Sequence, residues 1–295
     1  MYFYPSKTHD VLNSKPFTPE TLTHTAMSNP HYARVTFAPD VLVIEDSGAF
    51  QERDMKHRLT AEAALDRQLA HRAQIADKSN HAFQFEAIVT YDMLVGVDEA
   101  LVDGKRVKQR GTVDTARVAV AETIASARYY AAQRKRIGTG IAFSCQGAEP
   151  EQYAECAQEL VRLMEAGDIF AFGGFCILGR HKRLLPKFIA SLRLVLPMLQ
   201  AQGVKRAHLL GICWAPALEA AERERAGYDI TFTTDSSSLE TNSIMGRVWR
   251  DRQWHKTYSK EDKGVNYHPV DLTMANIERF AAWLKSMTEN PCVTP

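Results

Sequence analysis

The stretch Gly140-Ile141-Ala142-Phe143-Ser144-Cys145-Gln146-Gly147 joins a short apolar run to a polar turn, and a helical pattern over residues 150–165 follows it. The same order recurs along most of the chain. Each recurrence starts with a short apolar run, at residues 1–4, 41–44, 85–89, 140–143, 169–172, 207–211 and 229–232. Because strands that alternate with amphipathic helices pair in parallel, this order predicts an α/β fold built on a parallel sheet.

Helical patterns fill the intervals between these runs and the C-terminal region. They cover residues 60–76, 115–135, 150–165, 184–202 and 215–225, and Asp271 is expected to cap a last helix. This alternation over 295 residues favours a (β/α)8 TIM-like barrel, a single domain over residues 1–295 with a C-terminal helical tail over 259–295. The missing eighth strand is expected within residues 245–258. A doubly wound open sheet is the alternative, although no G-x-G-x-x-G motif follows the first strand.

Composition excludes several classes of protein. Hydrophobic residues at 45% and charged residues at 24% are ordinary globular values, which exclude disordered and collagen-like chains. The 36 Lys and Arg residues balance 35 Asp and Glu, and a net charge of +1 argues against a bulk polyanion binder without excluding a local basic face. Five widely spaced cysteines indicate a reducing compartment. No signal peptide and no run of about 18 apolar residues is visible, so we expect a cytoplasmic protein with no membrane partner.

Polar residues follow the predicted strands, at the end where a barrel places its active site. The candidates at these strand ends are Asp46, Asp92, Gln146, Gly173, Gly174 and Asp235. Carboxylates and a carboxamide can bind the edge of a flat heterocycle that carries donors and acceptors, and the two glycines let backbone N–H groups approach it closely. Spare carboxylates could act as a nucleophile and as a general acid/base.

Three stretches carry an ordered set of motifs. They are Asp46-Ser47-Gly48-Ala49-Phe50-Gln51, then Gly173-Gly174-Phe175-Cys176, then His208-Leu209-Leu210-Gly211-Ile212 followed by Gly227-Tyr228-Asp229 and Asp235-Ser236. In order and spacing they resemble the D-S-G-G-[FY]-Q, G-G-L-A and L-M-G-V-G … G-x-D-x-F-D-[CS] motifs of the tRNA-guanine transglycosylase superfamily, over about residues 1–239. The short length and the opening Phe3-Tyr4-Pro5-Ser6 look closest to the DpdA-type branch, which exchanges guanine for a 7-deazaguanine in DNA.

The resemblance implies a role for each matching residue. Asp235 would be the nucleophile that attacks C1′ of the target nucleotide, and Asp46 the general acid/base that takes the proton from the incoming base. Asp92 and Gln146 would bind the guanine-like edge, with the Gly174 N–H near its exocyclic oxygen. The other implied substrate-binding residues are Ser47, Gly48, Gly173, and the pair Phe50 and Leu210, which would sandwich the ring. The target base would have to leave the helix stack to reach a recessed barrel mouth.

The tRNA enzymes carry a C-x-C-x-x-C … H zinc site after the nucleophile, and this chain departs from that pattern. Beyond Asp235 only one cysteine and two histidines remain, without metal-ligand spacing. We therefore expect no zinc and no other cofactor, and a DNA substrate rather than tRNA. Cys145, Cys176 and Cys213 all fall near the mouth, so a three-thiolate metal site is an alternative, although buried cysteine commonly acts as a small hydrophobe.

Basic residues concentrate at residues 180–187 and 247–256, and the second stretch interleaves them with Trp249 and Trp254. Such spacing suits phosphate neutralisation together with stacking on an unpaired base. The residues expected to contact nucleic acid are Arg180, Lys182, Arg183, Arg247, Arg250 and Arg252. The expected partners are DNA and a 7-deazaguanine (preQ0-like) base, and helicase-like or other DNA-modification proteins are conceivable. Two alternatives stay open, the same exchange on tRNA and a non-catalytic nucleic-acid-binding subunit.

Overall fold

The structure is a computed structural model that describes residues 1–6, 20–32, 35–52, 58–95, 97–102, 105–110, 113–179, 181–256 and 268–289. Its strands, in chain order, are β1 (Tyr2–Pro5), β2 (Thr25–Ser28), β3 (Leu42–Glu45), β4 (Gln84–Val89), β5 (Val97–Val102), β6 (Lys105–Arg110), β7 (Gly140–Cys145), β8 (Ile169–Phe172), β9 (Arg206–Leu209), β10 (Thr231–Ser236), β11 (Arg247–Arg250) and β12 (Gln253–Lys256). Its helices are α1 (Glu20–Thr23), α2 (Ala61–Lys78), α3 (Val113–Ala132), α4 (Arg134–Ile137), α5 (Pro150–Val161), α6 (Leu185–Ala201), α7 (Ala215–Arg225), α8 (Ser238–Ile244) and α9 (Pro269–Glu289).

Eight of these strands form one parallel sheet, in the order β1-β10-β9-β8-β7-β4-β3-β2. The first and last strands of this order meet, because Ser6 pairs with Met27 in a parallel bridge. The Thr25 hydroxyl also donates to the Phe3 carbonyl oxygen at 2.6 Å. The sheet is therefore a nearly closed barrel with helices between its strands, and the predicted single-domain TIM-barrel fold is confirmed.

The eighth barrel strand does not lie where the sequence suggested. Within the expected interval, residues 245–258, the antiparallel pair β11 and β12 forms a hairpin outside the barrel. Asp251 and Arg252 at its turn both have positive φ, as a two-residue hairpin turn requires. The eighth barrel strand is β2, and its four residues Thr25-Ala26-Met27-Ser28 are too polar to stand out as a buried strand.

The barrel interior is filled by small and medium side chains. The buried interior cluster consists of Tyr4, Met27, Ile44, Ala87, Val89, Ala142, Ile169 and Ala171. Glu86 accepts hydrogen bonds there from the Tyr4 hydroxyl and from the Arg206 guanidinium. A register shift in the pairing of β3 with β4 lets Glu86 join this interior although it precedes Ala87. The barrel is thus a filled core rather than a pore.

The predicted helices agree with the structure to within a few residues. α7 has the predicted bounds, and the Thr60 hydroxyl caps α2 by accepting from the Ala63 N–H at 3.2 Å. The predicted helix over residues 115–135 is divided into α3 and α4. The last helix begins at Pro269, a residue suited to the first helical position, so Asp271 lies in its first turn and does not cap it.

α9 packs on the barrel rather than extending from it as a detached tail. The Phe280 ring lies 5.0 Å from the Phe3 ring of β1 and 5.1 Å from Trp249 of β11, measured between centroids. Ile277 and Leu284 join the same main core. α9 therefore covers the outer side of β1 and ties the hairpin to the barrel.

Within the described part of the chain, one helical segment, Lys182–Ala201, is long and apolar enough by length and composition to cross a membrane. Its buried residues include Phe188, Leu192, Val195 and Leu199, which belong to the main hydrophobic core. Because the core helix of a soluble protein has the same character, this segment is weak support for a membrane role.

Candidate active site

A cavity of about 400 Å³ opens at the carboxyl ends of the barrel strands. Of the predicted catalytic and substrate-binding residues, all but Gly48 line it: Asp46, Ser47, Phe50, Asp92, Gln146, Gly173, Gly174, Leu210 and Asp235. These residues follow β3, β4, β7, β8 and β9 or, in the case of Asp235, lie near the end of β10, so six strands contribute. The structure therefore brings the sequence motifs together at one place, as the barrel fold requires of an active site.

Gly48 has a structural part in the loop after β3. Its φ is +76°, and a Cβ atom at this position would lie 2.8 Å from the His31 ring. Glycine alone combines this backbone conformation with this close approach. Gly48 therefore forms the tight turn that follows Asp46 and Ser47, which both line the cavity. Gly48 itself does not line the cavity, in contrast to the prediction.

Asp235, near the end of β10, is fixed by three groups from the two neighbouring strands, β9 and β1, and the residues that follow them. The Gly211 N–H donates to its Oδ1 at 2.7 Å, and His208 Nε2 lies 3.0 Å from the same oxygen. The Ser6 hydroxyl donates to its Oδ2 at 3.2 Å. The residue is only 8% exposed, so these contacts hold a largely desolvated carboxylate in one orientation at the cavity wall.

Asp46 follows β3 on another part of the same wall. Asn29 Nδ2 donates to its Oδ2 at 2.5 Å, and the Ser47 N–H donates to its Oδ1 at 2.8 Å. Burial, and after it the charges of Asp235 and Asp92, raises the pKa of Asp46 to about 7. A carboxyl group with a pKa near neutrality can both donate and accept a proton at physiological pH.

Asp92 and Gln146 form a polar corner of the cavity. Ser144 Oγ donates to Asp92 Oδ2 at 2.8 Å, and Gln146 Nε2 donates to the same oxygen. Burial raises the pKa of Asp92. Gln146 is fully buried, and among the described residues nothing donates to its Oε1. A buried acceptor of this kind costs free energy unless a ligand or water donates to it.

Gly173 explains why the carboxamide of Gln146 fits this corner. A Cβ atom on Gly173 would lie 2.5 Å from Gln146 Nε2 and 2.8 Å from the Cys145 carbonyl oxygen. A larger residue would therefore displace the carboxamide. Gly174 follows with a φ of +76°, which carries the chain sharply along the cavity edge.

Apolar side chains form the remaining walls of the cavity. Phe50 and Leu210, which the sequence predicts to sandwich a ring, both line it, together with Leu94 and Ile177. Phe50 is 40% exposed, and Leu210 packs on the interior cluster. A cavity with apolar faces and a few convergent polar groups is typical of a small-molecule site.

A buried ionic network supports the loop that carries Asp46. Glu52 accepts from the Tyr91 hydroxyl at 2.5 Å and pairs with the Arg67 guanidinium. The second Arg67 nitrogen donates to the Ser47 carbonyl oxygen at 2.7 Å. Because Arg67 belongs to α2 and Tyr91 follows β4, the loop is tied to both neighbouring elements.

The first group of predicted nucleic-acid contacts lies at the same end of the barrel as the cavity. Lys182 and Arg183 are exposed in the connection between β8 and α6, and neither lines the cavity. Arg180 lies outside the described residues. The role of this group stays a prediction.

The second group lies on the hairpin of β11 and β12, away from the cavity lining. Arg247 donates to Asn242 Oδ1 at 3.0 Å, Arg252 pairs with Glu219 at 3.1 Å, and Arg250 lies 3.6 Å from Asp251. Trp249 is 5% exposed and packs on Phe280 and Trp283. It is therefore a core residue, and the predicted stacking of its indole on an unpaired base is wrong.

The alternative three-thiolate metal site is not formed. The Cys145 thiol donates to the Tyr153 carbonyl oxygen at 3.4 Å on α5, whereas Cys176 lines the cavity. Among the described residues, no group of three or more His, Cys, Asp or Glu side chains is placed to hold a metal ion. The expectation that the protein needs no cofactor stays a prediction.

Four residues with clear contacts at the site were not singled out from the sequence: Ser6, Asn29, His208 and Gly211. His208 and Gly211 lie inside the third motif, and Ser6 inside the opening one, so the motifs carried the signal without showing the contacts. Asn29 directly follows β2, and recognising β2 as a barrel strand would have marked it.

No family model and no curated protein matches the chain. Among solved structures the chain is similar to an L-ribulose 3-epimerase, with 9% identity, coverage of 100% of this chain and 99% of that chain, and a TM-score of 0.39. It is also similar to the carboxyl transferase domain of Rhizobium etli pyruvate carboxylase with pyruvate, with 7% identity, coverage of 96% and 47%, and a TM-score of 0.29. Neither is a tRNA-guanine transglycosylase. Likenesses this low carry nothing about the activity of this chain, which has to be argued from the site itself.

Proposed function

We propose that the protein is a transglycosylase that exchanges guanine in DNA for a 7-deazaguanine base through a covalent aspartyl-glycosyl intermediate. One observation carries the proposal. Asp46 and Asp235 line one cavity, and they have different environments: Asp235 is fixed by three donors, whereas Asp46 has a pKa raised to about 7. Two carboxyl groups with different environments are what a double displacement at an anomeric carbon needs.

In the first half of the reaction, the Asp235 carboxylate attacks C1′ of the target nucleotide. The bond from C1′ to N9 of guanine breaks, and its electron pair is protonated by the Asp46 carboxyl group, so neutral guanine leaves. In the second half, the incoming 7-deazaguanine gives its N9 proton to the Asp46 carboxylate. Its N9 then attacks C1′ and releases Asp235 as a carboxylate.

The charge coupling between the two aspartates supports this exchange of roles. The Asp235 charge is one cause of the raised pKa of Asp46. Formation of the ester removes that charge, so the pKa of Asp46 falls when it must change from acid to base. The same residue can then serve both half-reactions.

The polar corner suits the edge of guanine. Guanine presents N–H donors at N1 and at its exocyclic amine, and Gln146 Oε1 is a buried acceptor that lacks a donor among the described residues. The Asp92 carboxylate lies beside it. Adenine has no N1–H, so it would leave a buried acceptor unpaired, and a 7-deazaguanine has the same edge as guanine.

DNA is the proposed polymer because the opening Phe3-Tyr4-Pro5-Ser6 looks closest to the DpdA-type branch and because no zinc motif like that of the tRNA enzymes follows Asp235 in this sequence. The target nucleotide has to leave its stack to reach a cavity at the barrel mouth, so single-stranded or locally opened DNA is the expected substrate. Exposed Lys182 and Arg183 at this end would contact its phosphates.

The proposal is tested by incubating the protein with radiolabelled preQ0 and, separately, single-stranded DNA, duplex DNA and tRNA. We expect label in DNA and a protein–DNA adduct that survives denaturing electrophoresis. Asp235→Asn should abolish both. Asp229→Asn is the matched control, because Asp229 is an exposed aspartate of the same segment that pairs with Lys205.

Three results would count against the proposal. Incorporation of label into tRNA alone would show that tRNA rather than DNA is the substrate of the same reaction. An adduct that persists in Asp235→Asn would remove Asp235 as the nucleophile. DNA binding without any turnover, unaffected by Asp46→Asn, would indicate a non-catalytic subunit.

A further inference from the structure

The two oxygens of the Asp235 carboxylate are in different surroundings. Oδ1 receives the Gly211 N–H at 2.7 Å and lies 3.0 Å from His208 Nε2. Oδ2 receives the hydroxyl of Ser6, a cavity-lining residue, at 3.2 Å. A carboxylate oxygen has two lone-pair directions, so two N–H donors saturate Oδ1, while Oδ2 keeps one direction open beside the cavity.

The surroundings of His208 determine which ring nitrogen carries its proton. His208 Nδ1 lies 2.7 Å from the Thr233 hydroxyl oxygen, whereas the other acceptor of that hydroxyl, the Ala207 carbonyl oxygen, lies 3.5 Å away. The Asp235 carboxylate can only accept a hydrogen bond, so the 3.0 Å contact requires a proton on Nε2, and the Thr233 hydroxyl then donates to Nδ1. A neutral imidazole that accepts at Nδ1 carries its proton on Nε2, and it then donates to Asp235.

Packing and hydrogen bonds together hold the imidazole ring in place. His208 is 1% exposed inside the barrel, and its ring meets the Tyr4 ring edge-to-face with centroids 5.7 Å apart. Tyr4 is in turn held by Glu86 and Arg206. The donor that faces Asp235 therefore rests on a rigid interior rather than on a mobile loop.

We infer that His208 is a positioning residue, which together with the Gly211 N–H saturates Oδ1 of Asp235 and thereby makes Oδ2 the attacking oxygen. The inference rests on the proposed function, because it deepens the role given there to Asp235. His208 does not line the cavity, so it acts on the substrate only through the aspartate. Its loss should therefore slow the attack on C1′ and leave the binding of the base nearly unchanged.

Two substitutions that differ by one methylene group test the inference. His208→Gln can place an amide nitrogen near the position of Nε2 and keep the donor to Asp235. His208→Asn reaches only the position of Nδ1, so it keeps the contact with Thr233 and loses the one with Asp235. Both variants place a carboxamide in the same buried position, so a general loss of packing would affect both.

The measurement is the single-turnover rate of adduct formation at saturating DNA, together with KM and the melting temperature. We expect His208→Asn to lose roughly 100-fold in rate, and His208→Gln to stay within about tenfold of the wild type, with KM unchanged in both. Equal losses in the two variants, or a change confined to KM, would overturn the inference.

A second measurement needs no substrate. The ¹⁵N chemical shifts of the His208 side chain in the wild-type protein should show the proton on Nε2, and Thr233→Val should leave it there, because the Asp235 carboxylate still accepts from Nε2. A proton on Nδ1 in the wild type would overturn the inference. If the wild type shows the proton on Nε2 but exchanges no base on any polymer, the proposed function fails and the orientation of Asp235 by His208 stands.

Discussion

Asp46 illustrates how a single carboxyl group acquires acid/base character from its surroundings. Burial is the largest cause of its raised pKa, and the charges of Asp235 and Asp92 add to it, while the Ser47 N–H opposes the shift. Three carboxyl groups on one cavity wall cost free energy in the empty protein. Perturbed groups of this kind are typical of functional sites, where surroundings are selected for chemistry rather than for stability.

The raised pKa predicts opposite pH dependences for the two half-reactions. Expulsion of guanine needs the protonated Asp46, so the rate of adduct formation should fall as the pH rises through about 7. Resolution by the incoming base needs the carboxylate, so its rate should rise with pH, with a midpoint below 7 because Asp235 is then esterified. Rapid-quench measurement of each step between pH 5 and 9 checks both slopes.

Asp46→Asn supplies the control for these profiles. Both steps should slow, by about 100-fold or more, and the remaining activity should lose the slope near neutrality. A slope that persists in Asp46→Asn would assign the titration to a different group and would contradict the acid/base role.

The sequence identified the residues that end strands more readily than the residues that support them. Asp46, Asp92, Gln146 and Asp235 follow apolar runs, so the barrel rule alone placed them at one mouth. His208 lies within β9 and has the pattern of a core residue, because burial and catalytic support look alike in a single sequence. Its partner Thr233 lies directly opposite it on β10, a relation that only the register of the strands reveals.

At the level of elements, the hairpin of β11 and β12 contains both core residues and exposed basic residues, which the sequence alone did not distinguish. Trp249 and Val248 are buried against the barrel, while Arg247 and Arg252 are exposed. Alternation places Arg247 and Val248 on opposite faces, and the packing of α9 on Trp249 buries the next residue as well. The exposed basic side chains stay the predicted phosphate contacts, and Arg252 also pairs with Glu219.

Substitutions in β11 should therefore separate stability from nucleic-acid binding. Trp249→Ala should lower the free energy of unfolding by roughly 3–5 kcal/mol, because it leaves a cavity beside Phe280, and it should leave the DNA affinity of the folded protein unchanged. Arg247→Gln should leave stability within about 0.5 kcal/mol and weaken DNA binding with a smaller salt dependence.

Urea unfolding and binding titrations at several salt concentrations check this pair. If the fully folded Trp249→Ala protein loses DNA affinity, Trp249 contacts DNA after all. An unchanged affinity and salt slope in Arg247→Gln would remove the hairpin from the nucleic-acid surface.

The elements that the sequence missed share a physical cause. β2 has two apolar residues in four, and its burial comes from its neighbours in the barrel rather than from its own composition. β11 also has two apolar residues in four, but they are Val248 and Trp249, which favour strands, so this segment looks more like a barrel strand. Long helices such as α2 and α7 were predictable because their periodicity and end signals are local.

At the scale of the whole molecule, strand β1 and helix α9, which are far apart in the sequence, pack together and complete the barrel. β1 pairs with β10, and α9 lies over β1, so residues 2–5 are held by residues 231–236 on one side and by residues 269–289 on another. Helix α9 contributes Ile277, Phe280 and Leu284 to the main core. Since each fully buried side chain of this type contributes about 1.5–3 kcal/mol, α9 accounts for a large share of a typical total stability.

Deletion of residues 268–295 should therefore leave no cooperatively folded protein. Deletion of residues 290–295 alone keeps α9 and is the control, which should retain the cooperative thermal transition of the full chain. Circular dichroism and size-exclusion chromatography compare the two. A soluble, cooperatively melting product of the longer deletion would show that the barrel closes without α9.

This closure also sets an order of events during synthesis. β1 is made before the other barrel strands and finds its neighbour β10 only after more than two hundred further residues, and its covering helix α9 later still. Until then Phe3 lacks its α9 partner Phe280, and the edge of β1 that pairs with β10 keeps open hydrogen-bonding groups. A chaperone that binds extended apolar segments would thus act mainly on the first residues of this chain, and its hold would end when the last helix docks.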